Sequence, residues 1–224
     1  TNFKKKGFVP FCVGELHKIV NEYTIVFMKT NNSVSVGFLT SFLPDNNLLI
    51  NEAGKWVGNY LPVILQTMPF IFSNLENKKS KVLCYVEEYN CVLPENTSGE
   101  DFHKMFEENG EFSEIFKKKL KLTEVFHQNI SETNQACDEL YNAGLIVDWP
   151  IKFKSGKIEK EIKGLLKIDE KKLIDKKNEF SLKKLGKVAL YLAYGQMFSK
   201  NNIDKLVNLH SSENTDIVFV EKKK

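Results

Sequence analysis

The sequence predicts an α+β fold in which antiparallel β-hairpins in the N-terminal half pack against a mainly helical C-terminal half. Runs rich in β-branched and aromatic residues, separated by polar turns, fill most of residues 20–90, whereas apolar residues recur at helical spacing after residue 110. Strands and helices do not alternate regularly, which argues against a parallel sheet. The chain has 224 residues, 42% of them hydrophobic, enough for one sizeable core. We therefore expect a single domain over residues 1–224.

Two hairpins are predicted in the first half of the chain. The first joins residues 23–28 to residues 34–39 through a turn with two asparagines, which tolerate left-handed geometry. The segment FIFSNLENKKSKVLCYVEE predicts the second, with a polar turn over residues 74–80. Between them, NNLLIN predicts a short strand before a turn at Gly54.

Two prolines delimit a short predicted helix in GKWVGNYLPVILQTMPF, residues 54–70. Pro62 suits the first helical turn, where no N–H is required, and Pro69 would end the helix, so it is predicted over residues 60–67. After an acidic loop, helical spacing predicts one long amphipathic helix, or two with a break, ending at Gly144.

The last third of the chain predicts a hairpin and three helical segments. WPIKFKSGKIEKEIKGLLKIDE indicates a hairpin turning at residues 155–156, and Asp169 suits the N-cap of a helix over EKKLIDKK. Residues 180–209 predict two helices separated near residues 199–202.

Charge and hydropathy exclude several classes of protein. The formal charge is +3, and all 32 basic residues are lysines. Because arginine normally reads guanine and phosphate in a bidentate way, no nucleic-acid partner is predicted. The longest apolar stretch, residues 61–72, is shorter than the roughly 20 residues of a membrane span, and no signal peptide is evident. These features predict a protein without a membrane span, either cytoplasmic or peripherally associated with the cell surface.

Cysteines and histidines form no recognisable metal or catalytic pattern. They are Cys12, Cys84, Cys91 and Cys137, with His17, His103, His127 and His210. No pair has zinc-ligand spacing, and no nucleophile elbow, P-loop or dinucleotide motif occurs. We therefore predict no metal and no cofactor, expect reduced and mostly buried thiols, and lean towards a protein that is not an enzyme. A disulfide between Cys84 and Cys91 would need an oxidising compartment.

Aromatic and amide side chains are the remaining candidates for a binding site. Buried Trp and Tyr rings must pair their N–H or O–H groups, so they lie at pocket edges, at interfaces or in the core. The rings considered are Trp56, Tyr60, Trp149, Tyr191 and Tyr194. Gln196, in an otherwise apolar helix, either makes a structural hydrogen bond between elements or contacts a ligand. Glu87 and Asp169, which follow predicted strands, would be proton carriers if the protein were an enzyme.

An ordered set of motifs resembles the SapC family of bacterial proteins. The motifs are FVPFCVGE, TIVFM, GKWVGNYLPVILQTMPF, MFEENGEFS, NAGLIVDWPIKF, IKGLLKIDEKKL and LYLAYGQMFS, which together cover nearly the whole chain. The positions that match the family's motifs are Trp56, Gly58, Tyr60, Pro62, Trp149, Gly164, Asp169, Glu170, Tyr194 and Gln196. The family supplies no established catalytic residues to carry over.

The resemblance implies a role at the bacterial surface. The family takes its name from the surface-array (S-layer) locus of a Campylobacter, where the S-layer gives resistance to serum. It therefore implies an accessory protein in S-layer formation and serum resistance that binds an S-layer or export protein. The alternative is a small-ligand-binding protein or an enzyme, with Trp56, Tyr60, Trp149 and Gln196 around an aromatic-lined pocket.

Overall fold

The computed structural model describes residues 2–30, 33–43, 45–74, 81–89, 91–94, 97, 99, 102–155, 158–175, 182–212 and 217–219. The strands are β1 (Phe8–Pro10), β2 (Ile25–Thr30), β3 (Ser33–Leu39), β4 (Phe70–Asn74), β5 (Lys81–Tyr85), β6 (Ile146–Asp148), β7 (Ile151–Ser155), β8 (Ile158–Ile162), β9 (Leu165–Ile168) and β10 (Ile217–Phe219). The helices are α1 (Leu16–Glu22), α2 (Val63–Thr67), α3 (Glu114–Asn142), α4 (Glu170–Ile174), α5 (Lys187–Ser199) and α6 (Ile203–Ser212). The α+β prediction is confirmed.

The described residues group into two compact units. The first unit comprises residues 3–60 and those from 130 onward, and the second comprises residues 61–129. Helix α3 contributes its first half to the second unit and its last turns to the first. The single domain over residues 1–224 stays a prediction.

The first unit contains a five-stranded antiparallel sheet in the order β1-β3-β2-β9-β6. The hairpin of β2 and β3 confirms the first predicted hairpin, and its two turn asparagines lie outside the described residues. The start of β2 is fully buried, since Ile25, Val26 and Phe27 expose none of their surface. Its apolar run therefore suits a central strand.

Strands from the end of the chain complete this sheet. Strand β9 pairs with β2, with Phe27 opposite Leu166, and β6 pairs with β9. The hairpin predicted in WPIKFKSGKIEKEIKGLLKIDE is confirmed as β7 and β8, which form a second sheet in the order β10-β7-β8. Of its predicted turn, Ser155 instead ends β7 and residue 156 lies outside the described residues. Strands β6 and β10 have three residues each and were not predicted, because so short a run carries no periodic signal.

Helices α1 and α5 pack against each other, and α5 also packs on β2 and β9. The close approach is possible because α5 carries Gly195, where a Cβ atom would lie 2.7 Å from the Leu16 Cδ2 atom of α1. Trp149, Phe42 and Phe153 belong to one buried hydrophobic cluster of the first unit. The two predicted C-terminal helices are confirmed as α5 and α6, whereas α1 was not predicted.

Two local predictions need correction. NNLLIN forms no strand, because its only β pairing is an isolated bridge between Ile50 and Trp56, although Gly54 does turn the chain with a φ of +75°. Helix α2 begins at Val63, with Pro62 at its N-cap, and so starts three residues later than predicted. Because proline has a fixed φ and no N–H, it fits either the N-cap or the first turn of a helix. The sequence therefore did not show where α2 begins.

The long predicted helix is one continuous helix of 29 residues, α3. The hydroxyl of Ser113 accepts a hydrogen bond from the Phe116 N–H at its start, at 3.2 Å. Gly144, with a φ of +66°, follows its end as predicted.

The second unit holds the predicted second hairpin, formed by β4 and β5, together with α2. The turn of this hairpin lies outside the described residues. Phe70 and Phe116 are buried in this unit with their ring centroids 5.1 Å apart.

In the described part of the chain, no helix is both long and apolar enough to cross a bilayer.

Candidate functional site

The motif GKWVGNY folds into a loop organised around the carbonyl group of Tyr60. This oxygen accepts hydrogen bonds from the indole N–H of Trp56 at 2.9 Å and from the hydroxyl of Tyr23 at 2.7 Å. A Cβ atom at Gly58 would overlap the Tyr23 hydroxyl and lie 2.8 Å from the Trp56 Nε1 atom. Glycine at this position therefore allows both donors to reach one acceptor.

A buried carboxylate, Glu15, lies under the same loop and exposes only 4% of its surface. It accepts hydrogen bonds from the Tyr60 hydroxyl at 2.8 Å and from the Cys12 N–H at 3.1 Å, and the Cys12 thiol lies at 3.7 Å. Burial, and then the adjacent Glu15, raise the pKa of both the Cys12 thiol and the Tyr60 phenol. Both groups therefore stay protonated, and Cys12 is a poor nucleophile.

Two further contacts fasten the loop to α1. The Asn59 amide donates to the Glu22 carboxylate at 2.9 Å, and the ammonium of Lys18 lies 5.0 Å from the centre of the Tyr60 ring. The indole of Trp56 packs edge-on against Tyr23, with centroids 6.2 Å apart. Trp56 and Tyr60 thus close one edge of the core, which is one of the places expected for these rings.

Gln196 makes a structural bridge between two strands. Its amide oxygen accepts from the Ile168 N–H at 3.0 Å, and its amide N–H donates to the Ile25 carbonyl at 3.2 Å. Ile25 and Ile168 each lie two residues beyond the last pair of β2 and β9, so the side chain links the two strands where direct pairing has ended. Ser199 accepts from the Ile25 N–H at 3.0 Å. Of the two alternatives for Gln196, its contacts therefore match the structural hydrogen bond between elements rather than a contact with a ligand.

Trp149 belongs to a different cluster from Trp56 and Tyr60. It is buried beside Phe42 and Phe153, and the ammonium of Lys167 lies 5.5 Å from the centre of its ring. The described contacts therefore bring Trp56 and Tyr60 together and place Trp149 in the core.

The charged motif residues after β9 have structural partners. Asp169 accepts from the Lys172 N–H at 3.2 Å, which confirms the predicted N-cap of α4. Glu170 forms an ion pair with Lys200 at 2.8 Å. Gly164 has a φ of +82° in the turn before β9, a conformation that favours glycine.

Two predicted residues lie in the second unit. The carbonyl of Pro62 accepts from the Leu65 N–H at 3.0 Å at the start of α2. Glu87 follows β5 in a short 3-10 turn and accepts from the Tyr85 hydroxyl at 3.3 Å.

A buried histidine, His210, was not predicted as a special residue. Its Nε2 atom accepts from the Phe42 N–H at 2.9 Å, and burial lowers its pKa from the usual 6.5 to about 4. The Ser41 hydroxyl lies 3.3 Å from the same Nε2 atom. Both side chains are buried, so this pair is part of the core.

Potential metal ligands do not cluster in the described residues, where no group of three or more His, Cys, Asp or Glu side chains could hold a metal ion. The four cysteines are free. Cys12 and Cys137 are buried and Cys84 is half-buried, but Cys91 is exposed, so the expectation of mostly buried thiols is correct only in part.

The exposed face of α5 is the candidate functional surface. Tyr191, Tyr194 and Phe198 expose 48%, 39% and 65% of their surface, and the rings of the last two lie 6.5 Å apart. We call these three residues the aromatic stripe. Tyr191 and Tyr194 were candidates from sequence, whereas Phe198 was missed; its helical spacing from both tyrosines was the available signal.

Comparison with known proteins gives one match. The family model described as SapC matches residues 1–206 of the 224. No curated protein and no solved structure matches the chain. The chain belongs to the SapC family.

Proposed function

We propose that this protein is an accessory protein in the formation of a bacterial surface layer and in the serum resistance that the layer confers, and that it acts by binding another protein. The aromatic stripe is the observation that carries the proposal. Large exposed apolar groups that adjoin one another mark interaction surfaces on soluble domains. The partner is a surface-layer or export protein, met in the cytoplasm or at the cell periphery.

The internal hydrogen bonds of the motif residues support protein binding over the alternative of a small-ligand-binding protein or enzyme. A ligand pocket needs polar groups directed at the ligand. Here the Gln196 amide bridges two strands, the Trp56 indole N–H binds the Tyr60 carbonyl, and the Tyr60 hydroxyl binds Glu15. The polar groups that would orient a ligand thus serve the fold.

Family membership supports the biological setting of the proposal. The match extends over residues 1–206 and includes both α1 and α5, so the helix with the aromatic stripe is part of the shared chain. The family name comes from a surface-array locus, and a partner encoded for that array is the natural candidate.

The test is affinity capture from the source cells. Tagged wild-type protein should recover an identified surface-layer or export protein, and a variant with Tyr191→Ser, Tyr194→Ser and Phe198→Ser should lose it. Ile174→Ser, at another exposed apolar residue (68% exposed), is the matched control and should retain the partner. A normal surface layer in a deletion strain, with the protein recovered alone, would refute the proposal.

A further inference from the structure

The exposed residues of α5 repeat at the spacing of a helix–helix seam. Lys187, Tyr191, Tyr194 and Phe198 are separated by four, three and four residues, and all four are exposed. At about 100° per residue they lie within a sector of about 60°. This alternation of three and four is the a and d spacing by which one helix packs against another.

The opposite face of α5 fixes the helix in place. Leu192 and Ala193 are buried, and Gln196 and Ser199 hydrogen-bond the backbone of β2 and β9. The N–H of Gly186, at the N-cap, donates to the Glu139 carboxylate at 2.9 Å. The aromatic stripe is therefore presented by a rigid element, which lowers the entropy lost on binding.

The exposed area suits one helical segment better than a second copy of the chain. A Tyr or Phe side chain offers about 150–250 Å² for burial, so the exposed fractions of the three rings amount to about 300 Å². A stable interface between folded subunits buries about 800 Å² on each partner. The stripe alone thus falls well short of what a lasting dimer requires.

The seam has a charged residue at its N-terminal end and an aromatic residue at its C-terminal end. Lys187 continues the aromatic stripe at its N-terminal end, whereas Lys200, beyond its C-terminal end, is ion-paired with Glu170. A helix lying along the seam would complement it with apolar residues opposite the rings and a carboxylate opposite Lys187.

We infer that the aromatic stripe binds an amphipathic helix of the partner protein, with apolar residues at alternating spacings of three and four and an acidic residue opposite Lys187. The inference rests on the proposed function, because it specifies the partner of the same surface. It places recognition in a helix-against-helix mode, where a few ring contacts give affinity and one charge gives orientation.

The experiment measures fluorescence anisotropy of a labelled 18-residue helical peptide with leucines at seam positions and one glutamate at the end of the seam. The full-length protein should bind it at least tenfold more tightly than a peptide of the same composition with the leucines scrambled. Phe198→Ser should weaken binding about tenfold or more, and Ile174→Ser should leave it unchanged. Near-ultraviolet circular dichroism checks that each variant is folded.

A charge exchange tests the orientation of the helix. Lys187→Glu should weaken binding of the glutamate peptide severalfold, and a peptide with lysine at that position should restore it. Equal binding of the scrambled peptide, or no effect of Phe198→Ser, would overturn the inference. So would reversible dimerisation in sedimentation experiments that Phe198→Ser abolishes while no peptide binds.

The two proposals fail separately. If no helical peptide binds but substitution of the stripe still abolishes capture of a surface-layer protein, the helix inference fails and the proposed function stands. If the helical peptide binds as expected but the source cells yield no such partner and assemble a normal layer, the surface-layer function fails and the helix-binding site stands.

Discussion

Gly58 is the residue where the motif GKWVGNY depends most directly on the absence of a side chain. Gly58→Ala would push a Cβ atom into the Tyr23 hydroxyl and against the Trp56 indole. We expect a loss of about 2 kcal/mol in the free energy of unfolding, measured in urea, from overpacking.

Tyr23→Phe provides the control for this prediction, because it removes the hydroxyl that the new methyl group would strike. On its own, Tyr23→Phe removes the hydrogen bond from the Tyr23 hydroxyl to the Tyr60 carbonyl. In the Tyr23→Phe background, Gly58→Ala should therefore cost about 1 kcal/mol less than in the wild type. An equal cost in both backgrounds would show that this contact does not explain the glycine.

His210 should make the stability of the protein depend on pH. Its pKa is about 4 when folded and near 6.5 when unfolded, so between these values the unfolded chain binds more protons. Stability should thus fall as the pH is lowered from 6.5 to 4, by up to about 3 kcal/mol, and this contribution should be constant outside that window.

The comparison for the pH prediction is His210→Gln, which keeps a hydrogen-bond acceptor for the Phe42 N–H and does not titrate. The other histidines and the carboxylates are the same in both proteins, so the difference between their stability profiles isolates His210. Parallel profiles from pH 7 to pH 4 would contradict the assignment.

At the scale of elements, the attachment of α5 to the sheet rests on Gln196. Gln196→Leu keeps most of the volume but leaves the buried Ile168 N–H and Ile25 carbonyl without this partner. We expect a loss of about 2–4 kcal/mol in urea unfolding. As a control, Asn201→Leu at an exposed position should lower the free energy of unfolding by less than about 0.5 kcal/mol. A Gln196→Leu variant as stable as the wild type would reopen the interpretation of Gln196 as a ligand contact.

Elements with a strong local pattern were predictable, and those defined by distant partners were not. The hairpin of β2 and β3 and the long helix α3 are confirmed because alternation, turn residues and a C-terminal glycine lie within one short segment. NNLLIN has the composition of a strand, but only the bridge from Ile50 to Trp56 forms there. Its residues pack as a turn in the core, and tertiary contacts override its propensity.

At the scale of the whole molecule, the order of the main sheet could not be predicted from local patterns. Strand β2 pairs with β3 through a short turn, but its other neighbour, β9, comes from the last third of the chain. The burial of Glu15 and His210 depends in the same way on residues distant in sequence, since Glu15 meets Tyr60 and His210 meets Phe42. The motif residues were identified, but their structural tasks required these long-range contacts.

The two ends of the first unit that flank residues 61–129 approach the same short segment. Tyr60 donates to Glu15, and the hydroxyl of Thr133 accepts from the Val13 N–H at 2.9 Å. A flexible Gly/Ser linker of about 16 residues has a root-mean-square reach of about 22 Å, enough to join ends that both lie beside Val13–Glu15.

We therefore expect a chain in which this linker replaces residues 61–129 to fold and to unfold cooperatively. Both tryptophans of the protein, Trp56 and Trp149, lie in the retained unit, so its near-ultraviolet circular dichroism should resemble that of the wild type. The intact chain with the same linker inserted after Tyr60 controls for the linker itself. If the control folds and the shortened chain shows no cooperative transition, the first unit needs residues 61–129, and the single domain predicted over the whole chain is the better description.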